Sequence, residues 1–379
     1  MPFDAVSFAL AKNPTPGVFN YRRDSLPRWK VARAKARMGE ASPKLACIGD
    51  STTAGLGAGT GGTKYTDARA RSMPAQLAAM LTARDPRLKT TYANVWANSG
   101  DGGLVTGNPQ LTLGTGWANS AGPSPGGNPF SCSTNGAGVL GWAPQVQADT
   151  IVIYWVRNSG TGTFTYSVDG GAASAPIATS GAHSLQSTSI SVPLGVHSLA
   201  VNRVDGAGTV YIAGFEMFNS AAPSVRVQNM GHSGSTAAIW VAANVGYAPL
   251  PGVATYAPDL TIINLGINDV RTLPATITDG TFTANMRTII TNAQISGDVV
   301  LMVPHLVVPS GGSQALEVIL RGLIYDLATE KDCVVVNMAE LLGTYAASSA
   351  RGLFFDTLHL NAAGYDHTAG FLADVLLLA

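Results

Sequence analysis

Five short apolar runs, each separated from the next by stretches of helical spacing or by a polar middle segment, constrain this chain's fold more than any other feature. They are Leu45-Ala46-Cys47-Ile48, Val225-Arg226-Val227, Leu260-Thr261-Ile262-Ile263-Asn264-Leu265, Val299-Val300-Leu301-Met302-Val303 and Cys333-Val334-Val335-Val336. Runs rich in β-branched residues, with little polar alternation, suit strands buried on both faces. Helices are predicted at 74–84, 235–244, 282–295, 314–331 and 362–378. The first opens with a proline in its first turn. In the fourth, Leu316, Ile319, Leu320, Leu323 and Leu327 recur at helical spacing, with Glu317, Arg321 and Asp326 on other faces. Alternation of this kind predicts a parallel sheet with helices on both sides.

Residues 100–222 read differently. They are rich in Gly, Ser, Thr and Asn and alternate with period two, as in Thr163-Phe164-Thr165-Tyr166-Ser167-Val168 and His197-Ser198-Leu199-Ala200-Val201-Asn202. Val168-Asp169-Gly170-Gly171 has hairpin-turn chemistry. Several short strands at such spacing suggest a β-sandwich, here jelly-roll-like. The expected organisation is an N-terminal extension with a short helix over 1–39, an α/β domain over 40–100 and 223–379, and an inserted β-sandwich over 101–222. A length of 379 residues is itself enough for two domains.

Charge excludes several functions. Lys plus Arg equal Asp plus Glu at 23 each, so no basic field exists to hold a phosphate backbone, and no nucleic-acid partner is expected. The basic stretch at 28–37 reads as a helix with a solvated cationic face, stopped at Gly39. Three cysteines, Cys47, Cys132 and Cys333, provide no disulfide framework. No secretory signal is recognisable, and the apolar tail at 375–379 is too short to span a bilayer. The expectation is a soluble protein, cytoplasmic or virion-associated rather than secreted. No Cys-x-x-Cys or His-Glu-x-x-His occurs, so neither metal nor cofactor is expected. Gly57-Ala58-Gly59-Thr60-Gly61-Gly62 fits Gly-x-Gly-x-x-Gly, but no helix opens after it, which favours a rim loop over a dinucleotide site.

Four polar segments carry the chemistry. Gly49-Asp50-Ser51-Thr52-Thr53-Ala54-Gly55 follows the first apolar run. A serine there stands at the carboxyl rim of the sheet, where open α/β sheets bind ligands; the alternative is an ordinary helix cap. Asp356-Thr357-Leu358-His359 places a carboxylate within one turn of an imidazole, able to fix its tautomer. Gly266-Ile267-Asn268-Asp269 closes a central run, and its asparagine amide can face a developing oxyanion. Asn229-Met230-Gly231-His232-Ser233-Gly234 closes another, where Gly234 allows close backbone approach.

Together the four segments resemble the sequence blocks of the SGNH hydrolases, also called GDSL esterases, in the family's order. The resemblance covers residues 40–99 and 224–379. It implies a flavodoxin-like three-layer sandwich with about five parallel strands. It also implies a Ser51 nucleophile, an Asp356–His359 pair, and an oxyanion hole from Ser51, Gly234 and Asn268. The implied reaction is hydrolysis of a carboxylic ester through an acyl-enzyme, without a cofactor. Two departures stand out: the β insertion, and His232 where the family is usually apolar. His232 and His305 are candidates for lining the substrate pocket. Trp117, Trp142, Tyr154 and Trp155 are candidates for stacking on sugar, although Tyr154 and Trp155 alternate across a strand, so at least one belongs to a core. The favoured substrate is an O-acetylated glycan. The alternatives are a lipase or thioesterase acting on longer acyl chains, and a non-catalytic glycan-binding phage or surface protein.

Overall fold

The main sheet is built from the apolar runs. The computed structural model describes residues 16–97, 103–119, 124–160, 162–242, 249–305 and 313–378. Lys44–Gly49 (β2), Thr90–Thr91 (β3), Val225–Gly231 (β15), Leu260–Asn264 (β16), Asp298–Val303 (β17) and Val334–Asn337 (β18) run parallel. Val18–Phe19 (β1) pairs antiparallel with β18 at one edge. The spatial order is β1-β18-β17-β16-β2-β15-β3. Counted along the chain, the five longer parallel strands lie in the order 2-1-3-4-5, the flavodoxin-like doubly wound order. The strands beyond the expected five, β1 and β3, have two residues each, too few to show a period.

Successive residues of each strand feed opposite layers, as strand geometry requires. Leu45, Cys47, Ile262, Val300, Met302, Val334 and Val336 enter one core. There they meet Pro27–Arg37 (α1), Met73–Arg84 (α3) and Ala362–Leu378 (α9) through Trp29, Leu77, Leu81, Leu372 and Leu376. Ala46, Ile48, Ile263, Leu301 and Val335 enter the other. That layer holds Ala237–Val241 (α4), Pro249–Tyr256 (α5), Thr281–Ala293 (α7) and Gln314–Lys331 (α8). Both faces being covered is why these runs lack polar alternation. Truncating a fully buried member such as Ile263 to Ala costs about 2–5 kcal/mol. Several bounds differ from the sequence reading: α3 begins at Met73 rather than 74, α4 at Ala237 rather than 235, and α7 covers 281–293 rather than 282–295. Residues 243 and 244 of the expected 235–244 helix lie outside the described residues, and α5 was hidden by the two prolines in Pro249-Leu250-Pro251. Cys47, Cys132 and Cys333 are buried free thiols.

Between β3 and β15 the chain forms two antiparallel sheets. Ile177–Ala178 (β11), Thr163–Val168 (β10), Leu199–Arg203 (β13), Leu140–Trp142 (β8) and Leu111–Leu113 (β5) make one, in that order. Ser184–Val196 (β12), Gln147–Arg157 (β9), Val210–Phe218 (β14), Phe130–Cys132 (β7) and Trp117–Asn119 (β6) make the other, with Asn94–Trp96 (β4) also on β14. A third core joins them through Phe130, Trp142, Ile153, Trp155, Phe164, Val201 and Phe215.

The central strands of the second sheet, β9 and β14, are buried on both sides. Ile151, Ile153 and Trp155 of β9 face the third core, whereas Val152 and Tyr154 join the core shared with α5 and α7. Tyr154 stacks on Trp96 at 4.7 Å, and both rings meet Tyr256. A polar chain bonds the layers together. Tyr154 Oη donates to Glu216 Oε2 at 2.8 Å, and Gln228 Nε2 donates to Glu216 Oε1 at 2.8 Å. Trp96 Nε1 donates to Gln228 Oε1 at 2.9 Å, and Arg226 lies 3.6 Å from Glu216. Burial raises the Glu216 carboxyl above its ordinary range, opposed by the Arg226 guanidinium.

Candidate active site

Ser51 opens a short helix, Ser51–Ala54 (α2), directly after β2. Asp50 caps it, its Oδ1 accepting from Thr52 N and Thr52 Oγ1, both at 2.8 Å. This leaves Ser51 as the first helical residue, whose N–H has no acceptor within the helix. Thr52 and Thr53 hydroxyls accept from Asn264 Nδ2 at 2.9 and 3.2 Å, tying α2 to the end of β16. Asp50 is buried, which raises its carboxyl pKa against the lowering effect of the Thr52 bonds.

The other end of the chain arrives above this strand end. Ser51 Oγ lies 3.0 Å from His359 Nε2. His359 Nδ1 lies 2.9 Å from Asp356 Oδ2 and 3.2 Å from Oδ1. Asp356 Oδ1 also accepts from the backbone N–H of Leu358 at 2.8 Å and of His359 at 2.6 Å. Burial pushes the Asp356 carboxyl up, but the bonds from the His359 ring and backbone outweigh it and hold it well below the usual carboxylate range. It is therefore an anion at neutral pH, fit to hold the proton on Nδ1 and leave the Nε2 lone pair toward Ser51. Gly57 packs against this loop. A Cβ there would stand 2.5 Å from Leu360 O and 3.1 Å from His359 Cβ, so the glycine-rich stretch is a close-packed wall at this point.

Gly234 and Asn268 occupy the neighbouring strand ends. Gly234 adopts φ +77°, in the left-handed region that favours glycine. Its loop is fastened to the end of β2: His232 N donates to Gly49 O at 2.9 Å and Ser235 Oγ to the same oxygen at 3.1 Å. Asn268 stands in the helix Ile267–Thr272 (α6) that follows β16. Its Nδ2 donates to Ser235 O at 3.0 Å, and its Oδ1 accepts from Arg271 at 3.4 Å. That fixes which way the amide faces. Asp269 accepts from Ala237 N at 3.1 and 3.2 Å, so adjacent residues of α6 hold the segment that follows Gly234. Burial lifts the Asp269 carboxyl to about 6.

The remaining expected residues separate. His232 is buried and held down at about 4 by desolvation. His305 follows β17, and its Nε2 lies 2.8 Å from Leu358 O. The four aromatics expected on sugar are corrected: Trp117, Trp142, Tyr154 and Trp155 are only 6%, 2%, 8% and 5% exposed. Each is packed between layers, because β9 is covered on both faces and Trp142 faces the opposite sheet. Asp50, Arg271 and Asp269 went unassigned in the sequence reading. Their signal was adjacency to Ser51 and Asn268, but a carboxylate beside a strand-end turn reads equally as a cap.

Residues 205–367 match the family model of the GDSL-like lipase/acylhydrolases. The span includes Gly234, Asn268, Asp356 and His359; the Ser51 segment lies upstream, beyond the antiparallel strands. A solved structure described as a peptidoglycan O-acetylesterase in action superposes with a TM-score of 0.68, at 16% identity, over 95% of this chain and 98% of that one. Over residues 205–367 the chain thus resembles the GDSL-like, or SGNH, hydrolases. The family match and the fold together support a serine ester hydrolase. Two other solved structures align with this chain at lower similarity. One is an α/β hydrolase, LAE5, from the metagenome of Lake Arreo, at TM-score 0.40, 15% identity and coverage of 89% and 96%. The other is the YxiM protein of Bacillus subtilis, at TM-score 0.36, 17% identity and coverage of 75% and 96%. No curated protein sequence matches the chain. Among the described residues of this hydrolase no helix is long and apolar enough to cross a membrane, and no cluster of His, Cys, Asp or Glu suits a metal ion.

Proposed function

We propose that the chain is a carbohydrate O-acetylesterase working through an acyl-enzyme. The observation that carries the catalytic part is the continuous contact from Ser51 Oγ to His359 Nε2 at 3.0 Å and from His359 Nδ1 to Asp356 at 2.9 Å. Ser51 Oγ attacks the ester carbonyl while His359 Nε2 takes its proton; Asp356 orients the ring and stabilises the imidazolium. The carbonyl oxygen, now anionic, is held by N–H groups of Ser51 and Gly234 and by Asn268 Nδ2. His359 returns the proton to the leaving alcohol oxygen as the C–O bond breaks. Water then attacks the acyl-serine by the same route and releases the acid.

The glycan part is supported by the peptidoglycan O-acetylesterase that superposes along almost the whole chain. We also propose that 101–222 is an inserted β unit. With Trp117, Trp142, Tyr154 and Trp155 committed to cores, its part is to brace the main sheet rather than to stack these rings on sugar. The test is hydrolysis of p-nitrophenyl acetate against butyrate and octanoate esters, and of an O-acetylated against a de-O-acetylated polysaccharide, for wild type and Ser51→Ala. Turnover confined to acetyl esters and the O-acetylated polymer, lost by about 10⁴-fold in Ser51→Ala, is expected. A preference for octanoate points to a lipase instead, and an active Ser51→Ala protein removes the mechanism.

A further inference from the structure

The loop that carries Asp356 and His359 is a small closed turn. Phe354 and Leu360 form an antiparallel bridge across it, and Phe355 N donates to His359 O at 2.9 Å. Within it, the peptide between Leu358 and His359 is held from both of its polar ends. Its N–H, that of His359, donates to Asp356 Oδ1 at 2.6 Å. Its carbonyl, that of Leu358, faces His305 Nε2 at 2.8 Å. A carbonyl oxygen only accepts, so Nε2 of His305 carries the proton. The His305 ring also meets the edge of Phe354 at 5.4 Å and 73°.

A peptide is rigid and planar, so anchoring both ends fixes its rotation and with it the direction in which the His359 side chain leaves the backbone. His305 is buried and held at about 4, so it stays neutral at working pH. The titratable groups around it are Asp356 and His359 in the loop, and Glu317 of α8, which lines the same small cavity. A neutral donor suits this place, because a second cation would oppose the imidazolium that forms on His359.

We propose that His305 is a positioning residue of the triad, its ring N–H fixing the Leu358–His359 peptide plane and thereby the reach of His359 to Ser51. This rests on the reading of Ser51 and His359 as nucleophile and base. The test compares His305→Gln with His305→Met, side chains of nearly equal shape of which only Gln keeps the donor. Two quantities are read: kcat and KM on p-nitrophenyl acetate, and the rate at which a serine-directed phosphonate labels Ser51. His305→Met is expected to lose about 10- to 100-fold in kcat and in labelling rate with KM unchanged. His305→Gln is expected to recover to within about threefold of wild type, one ordinary hydrogen bond or less. Folded His305→Met protein with wild-type kcat and labelling overturns the proposal. So does an equal loss in His305→Gln, which would assign the effect to ring packing. If His305→Met fails to fold, His305→Asn, too short to reach the carbonyl, replaces it. Wild-type protein that neither labels nor turns over would sink the Ser51 reading itself, a result distinct from either of these.

Discussion

Replacing Asp356 by Asn should damage this enzyme more than the small change in shape suggests. Asp356 Oδ1 accepts from two backbone N–H groups, those of Leu358 at 2.8 Å and His359 at 2.6 Å, while Oδ2 faces His359 Nδ1 at 2.9 Å. An asparagine must keep its oxygen toward the two backbone donors, since an NH₂ group cannot accept from them. Its Nδ2 then occupies the place of Oδ2 and donates to His359 Nδ1. The ring proton is forced to Nε2, where it faces Ser51 Oγ and removes the lone pair that takes the serine proton. A locked wrong tautomer of this kind costs about 10⁴-fold in kcat, some 5.5 kcal/mol of barrier. Loop geometry should survive, because both backbone bonds remain. The assay is kcat and KM on p-nitrophenyl acetate for Asp356→Asn, with thermal unfolding as the control. A folded Asp356→Asn enzyme keeping more than about a tenth of wild-type kcat would refute the tautomer argument, since about 1.4 kcal/mol is too little for a lost base.

Three further outcomes follow from the geometry. Asn268→Ala removes a donor fixed by Ser235 O and Arg271, and should lower kcat by about 10²–10³ with KM little changed; a rise in KM alone would make Asn268 a ground-state contact. Glu216→Ala strips the shared acceptor from Tyr154 and Gln228 and leaves the buried Arg226 without its ion-pair partner, so urea unfolding should show a loss of about 3–5 kcal/mol; under 1 kcal/mol would mean the layers are not joined there. Asp269 sits at about 6 when folded against about 3.9 unfolded, so the folded state binds the extra proton in between and stability should fall as pH rises from about 4 to 6, by about 2–3 kcal/mol. Asp269→Asn should flatten that slope, and an unchanged slope would assign it to another group.

The parallel sheet was legible because burial on both faces leaves a distinctive run of apolar residues, and Gln314–Lys331 and Ala362–Leu378 could be bounded to the residue by their periodicity. The candidate site was legible as four separated segments, since strand ends of a doubly wound sheet converge on one rim. What the residues did not disclose was side-chain fate in the antiparallel region. The run Ile151-Val152-Ile153-Tyr154-Trp155-Val156 has no polar alternation, a sign of burial on both faces, yet an aromatic-rich strand reads equally as a binding platform until its neighbours are known. Glu216 was equally silent: a lone carboxylate in a strand carries no mark of the tyrosine, glutamine and arginine that gather round it from other elements.

Ser51 and His359 touch across 308 residues of chain. During synthesis the serine leaves the ribosome long before its base, and at about 5–20 residues per second the interval is at least some 15 s. Throughout that time the hydroxyl has no partner to activate it. On the proposed mechanism, a nascent chain, or one cut short before Asp356, is chemically silent however well its early strands have formed. Ester turnover thus reports the arrival of the last helix as well as the state of the site. It can serve as a clock for the slowest, longest-range closure in the folding of this molecule.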